Sequence, residues 1–120
     1  MKSIWLILCL LFAFSCDDKE NSNGTYKYTA YFGKSLAVCA SGFIEMTIAI
    51  DSTITGSWEI SAANEFSEKE IGPQIGTGKL EGSIKAGKIF INLNPGWADN
   101  NIFLNADYSK DQFKGSWLWS

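Results

Sequence analysis

The chain has no histidine anywhere in its 120 residues. Imidazole is the commonest general base and the commonest side-chain metal ligand, so its absence lowers the expectation of either chemistry. Positive charge is also short: ten Lys plus Arg stand against thirteen Asp plus Glu, for a net charge of −3. A nucleic-acid partner would need a basic stripe to meet its phosphates, and the sequence has none. Phosphate-binding glycine loops, zinc-ligand spacings and nucleophile motifs are missing as well. After the first fifteen residues no stretch repeats with a helical period, and no apolar run reaches the ~20 residues that span a bilayer. Neither catalysis, nor a metal, nor a cofactor is expected of such a chain.

What the sequence does contain is a recurring phrase of glycine, a small hydroxyl residue and a bulky apolar one. It appears as Gly24-Thr25-Tyr26, Gly56-Ser57-Trp58, Gly82-Ser83-Ile84 and Gly115-Ser116-Trp117. Around the second copy, Ile54, Gly56, Trp58 and Ile60 share one phase of a period-2 alternation, and Thr55, Ser57 and Glu59 share the other. The same alternation runs through 25–32, 43–50, 78–84, 89–93, 102–108 and 113–119, with a short apolar run at 35–40. Turn residues separate these segments: Asp51-Ser52-Thr53, Ala86-Gly87 and Asn94-Pro95-Gly96. The stretch 61–74 breaks the rhythm, carries Glu65, Glu68 and Glu70, and reads as a lid, a hairpin extension or a mobile loop. Seven or eight strands joined in this way predict an all-β fold: a small antiparallel up-and-down β-barrel, with a β-sandwich as the alternative. Inward glycines at positions 56, 82 and 115 favour the barrel, where strands must coil tightly.

Ahead of the strands lies a segment of another kind. Lys2, the apolar run 4–14 and the small Ser15 form the three parts of an export signal. The quartet Ala13-Phe14-Ser15-Cys16 resembles a bacterial lipobox, with Ala13 where leucine is preferred and Phe14 where a small residue is. The resemblance implies that Cys16 becomes the acylated first residue of the mature protein, which leaves a signal peptide at 1–15, a lipidated cysteine with a polar tether at 16–23, and a barrel domain at 24–120. The other reading is plain secretion with Cys16 a bystander. A lipid anchor would place the protein in the bacterial cell envelope, with the membrane as its first partner. Asp17 and Asp18 then act either as a surface-export signal or as a solvated spacer.

The meander order, the repeated phrase and the lack of a terminal helix are similar to the avidin-type barrel, a calycin-like architecture. No loop matches a biotin pocket position by position, so the resemblance implies a fold and assigns no site residue.

Several residues stand out against this frame. Trp97 lies among amides in 94–101, where an aromatic face beside hydrogen-bonding groups suits a sugar ring; the alternative is a plug folded over the barrel end. Asp99, Asn100 and Asn101 accompany it, and Trp119 falls near a rim. Asp99 with the two asparagines also offers oxygens to calcium, but one carboxylate supplies little charge. Trp58 and Trp117 fall on the inward phase and read as core. Cys39, flanked by Ala and Val, reads as a buried small hydrophobe. Glu45, Glu59 and Glu81 take the outward phase, a solvated face. The expected function is a non-catalytic envelope lipoprotein that binds a glycan or small apolar ligand at one end of the barrel. The alternative is a protein-interaction module, an inhibitor or accessory subunit of an envelope complex, with the acidic 65–70 loop as its contact.

Overall fold

The computed structural model describes residues 2–12, 21–33, 36–109 and 112–120; for 2–12 and 21 it describes the backbone. Cys16 and the tether residues 17–20 lie outside this set, as do the turn residues 110 and 111. Seven antiparallel strands run up and down in sequence order: β2 (Asn21–Phe32), β3 (Ala37–Ala49), β4 (Thr53–Ala62), β5 (Gly76–Lys85), β6 (Lys88–Asn92), β7 (Ile102–Ser109) and β8 (Gln112–Trp119). They form a nearly closed barrel. The backbone of Lys2–Phe12 (β1) fills the remaining seam and pairs antiparallel with both β2 and β8. The expected barrel is present, and no second packed sheet accompanies it among the described residues.

Alternation carries the core. Tyr26, Tyr28, Ile44, Met46, Ile54, Trp58, Ile60, Leu80, Ile89, Ile91, Leu104, Phe113 and Trp117 are all buried. Glu45, Glu59 and Glu81 are exposed on the outer wall. The short run near 35–40 and the strand at 43–50 merge into one continuous β3. Cys39 is the extra residue of a bulge there, since Ala30 pairs with Ala40 and Tyr31 with Val38. A bulge shifts the alternation by one, so Cys39 and Ala40 are buried side by side. Ile50, the last residue of the alternating 43–50 segment, is 72% exposed because it sits in the β3–β4 turn.

Close approach explains the inward glycines. A Cβ on Gly56 would run into the carbonyl oxygen of Glu45, and one on Gly115 into that of Asn105. Each neighbouring strand crosses where a side chain would stand, which lets the wall coil tightly.

The stretch 63–75 is neither a long hairpin nor shapeless. Ser67 caps the helical turn α1 (Glu68–Ile71): its hydroxyl accepts from the Lys69 amide, and the Glu70 carboxylate accepts from the Ser67 amide at 2.8 Å. This reciprocal capping box fixes the turn so that Ile71 points into the barrel, where it is fully buried. Gln74 follows it inward, accepting from the Tyr28 hydroxyl at 2.7 Å and donating to the Ile71 carbonyl at 2.9 Å.

Candidate functional site at the long-loop end

The connections sort by length between the two ends of the barrel. At one end residues 50–52 and Ala86-Gly87 make tight turns, and β2 begins. At the other end lie the 63–75 segment, the 93–101 loop and the end of β8. The sequence-predicted site residues Trp97, Asp99, Asn100, Asn101 and Trp119 all belong to this second end.

The 93–101 loop is shaped by its own amides. The Asn92 side-chain oxygen accepts from the Asn94 amide at 2.8 Å, starting the turn. Gly96, with φ +95, completes it at an angle that a side chain would resist. Asn94 Nδ2 then donates to the Asn100 carbonyl at 2.9 Å, and Asn92 Nδ2 donates to Asn101 Oδ1 at 3.0 Å. The backbone of Asn101 exchanges two hydrogen bonds with Ser120, at 2.7 and 3.0 Å.

Each candidate residue therefore has a distinct place. Asn101 is buried, and its side chain holds the loop together; its Nδ2 also reaches the Trp97 carbonyl at 3.4 Å. Asn100 is exposed, and its Oδ1 accepts from Trp119 Nε1 at 2.9 Å. Trp119 is half-buried at the rim, with its ring against Gly72, where a Cβ would fall 2.6 Å from Cδ2. Asp99 is exposed. Trp97 is 68% exposed, so it does not plug the barrel; its ring stands out from a loop that is otherwise tied down. The plug is instead Ile71 with Gln74. Among the described residues no group of three His, Cys, Asp or Glu converges as a metal site.

Large buried side chains stand in the interior beneath this end. Trp58 is buried and donates its Nε1–H to the Leu93 carbonyl at 2.8 Å, and Trp117 is fully buried. Burial raises the Tyr28 phenol well above its ordinary range, with the neighbouring Cys39 thiol adding to the shift. Burial also pushes the Cys39 thiol up to about 11. Both groups stay protonated and neutral at physiological pH.

Sequence reasoning missed two features. The capping box and the Gln74 bridge were written in Ser67, Glu70 and Gln74, but the acidic composition hid them. A groove of about 460 Å³ also runs along the outer wall of β3–β5, lined by Phe43, Glu45, Ser57, Glu59, Thr77 and Lys79. Its residues occupy the outward phase of separate strands, and only their cross-strand register brings them together, for instance Phe43 opposite Glu59 and Ser57 opposite Lys79. Compared with known protein families, curated proteins and solved structures, the chain matches none.

Proposed function

We propose that this chain is a lipid-anchored envelope protein whose barrel presents the Trp97 loop as a binding surface for glycans. The observation that carries the reading is an indole standing free on a loop whose amides are already used to hold it. A rigid, exposed aromatic face stacks on the CH face of a sugar, and a preorganised loop loses little entropy on binding. Between a glycan and a small apolar ligand, the glycan fits better, because the exposed ring shares its loop with the exposed polar side chains of Asp99 and Asn100. Asp99, exposed beside Trp97, supplies a hydroxyl acceptor.

Anchoring rests on the lipobox-like Ala13-Phe14-Ser15-Cys16. β2 begins at the tight-turn end, so a lipid on Cys16 would leave the Trp97 loop facing away from the membrane. The meander order remains similar to the avidin-type barrel, without implying its ligand.

A glycan array probed with the purified protein and its Trp97→Ala variant tests the binding reading. Loss of binding at an unchanged thermal midpoint is expected; unaltered binding would remove Trp97 from the site. Palmitate labelling tests the anchor: Cys16→Ser should abolish it, and a variant that still labels would refute it.

A further inference from the structure

The seam between β2 and β8 has a property that strand order alone imposes. Seven consecutive up-and-down strands leave the first and last running parallel, so β2 and β8 cannot close the sheet as an antiparallel pair. One more strand, antiparallel to both, fits between them. The structure contains such a strand: β1 pairs with β8 from Lys2 opposite Trp119 to Cys9 opposite Gln112, and with β2 from Leu6 opposite Ala30 to Leu10 opposite Tyr26. Its sequence is apolar at both phases over 4–12, with Cys9 the mildest exception, whereas the other strands alternate.

β2 and β8 are also joined from inside the barrel. The rings of Tyr26 and Phe113 meet with centroids 4.9 Å apart, and Trp117 Nε1 reaches the Tyr31 carbonyl at 3.4 Å. These contacts bridge the two strands beneath β1 and hold the edges about 9–10 Å apart, twice the spacing of neighbouring strands.

We propose that the seam of the processed protein is an acceptor site for an extended, uncharged apolar strand supplied by a partner protein of the envelope. This inference rests on the lipoprotein reading, in which residues 1–15 leave. Removing β1 then bares the backbone edges of β2 and β8 over a floor of Tyr26, Tyr28, Phe113 and Trp117. An edge of this kind is a template for strand addition. Within residues 21–120 the apolar alternating segments already form the wall, and the residues directly before β2 are Asp17, Asp18, Lys19 and Glu20. An occupant from outside these residues is needed to fill the seam.

Disulfide trapping tests the site. The probe is a synthetic peptide with the sequence of residues 2–12 and added lysine tails for solubility; its single thiol occupies the Cys9 position. The protein is the processed, detergent-purified lipoprotein carrying Lys27→Cys, since Lys27 is exposed and in register with that position. Gln112→Cys offers the same thiol from the other edge should the first variant fold poorly. Lys79→Cys, on the distant β5, is the control. Buried Cys39, protonated well above neutral pH, will not compete.

Held proximity should make trapping in the Lys27→Cys or Gln112→Cys variant faster than in the control by about tenfold or more. Hydrogen exchange of β2 and β8 amides should slow when the peptide is added. Equal trapping in all three variants, or no protection of those amides, overturns the acceptor site. Intact mass separates this failure from that of the lipoprotein reading. A mature mass beginning at Cys16 with no trapping sinks the acceptor alone, while a chain that retains residues 2–12 sinks both.

Discussion

The two ends of this barrel solve one problem by opposite means. At the tight-turn end the chain reverses over few residues, and each turn is fixed locally. The Asp51 carboxylate, for example, accepts from both the amide and the hydroxyl of Thr53, which holds its pKa below the usual range. At the long-loop end closure is non-local: Ile71, Gln74 and Asn101 reach residues far away in sequence to seal the interior. Local closure is mechanically simple and leaves nothing over. Non-local closure leaves surface, and the exposed Trp97 stands on that surface.

If the long-loop end is truly held by its plug, Ile71→Ala should be the most damaging change at either end. Emptying a fully buried site is expected to cost about 2–4 kcal/mol, read as a lowered midpoint in urea. A cost no greater than that of a turn substitution would erase the contrast.

Alkaline pH sharpens the comparison next. Folding raises the pKa of Cys39 and Tyr28, so the unfolded chain loses its protons first. Above the unfolded pKa the unfolded state binds fewer protons, and stability falls as pH rises. For Cys39 the loss should run between about pH 9 and pH 11, on the order of 2 kcal/mol in all. Cys39→Ala should flatten that part of the profile; an unchanged slope would show that the thiol is not sequestered.

Tyr28→Phe probes the bridge to the plug. It leaves the Gln74 oxygen buried without its hydroxyl donor, which should cost about 1–2 kcal/mol. The effect should largely disappear in a Gln74→Leu background, and full additivity would sever the two residues. At the opposite end Ala86 carries φ +53 ahead of Gly87 at +81. Asparagine tolerates that geometry better, so Ala86→Asn should raise stability by roughly 0.5–1 kcal/mol, seen as a higher thermal midpoint. Smallest of all, Trp97→Ala should move stability by less than about 0.5 kcal/mol, because an exposed indole supports nothing beneath it.

The legibility of the sequence follows the same division. Period-2 patterning revealed the wall, since Trp58 and Trp117 had to face inward for either segment to be a half-buried strand. The turns declared themselves through Asp51, Gly87 and Pro95-Gly96. The plug did not, because Ile71 and Gln74 become core only once a capped turn has aimed them. Asn100 and Asn101 are adjacent amides with opposite exposure, a difference set by backbone pairing with Ser120 and not by residue type. The apolar run 4–14 reads as an export signal, and the strand that its backbone forms over Lys2–Phe12 was not legible because a run apolar at both phases carries no period.

The placement of Trp97 gives the molecule a built-in lamp. With residues 1–15 removed Trp5 is gone, Trp58 is buried and Trp119 is half-covered, so iodide in solution will dim the indole on the loop more than either of these. Whatever settles over that ring should shield it from the quencher and shift its emission toward the blue. The protein can thus report its own occupancy without any attached dye.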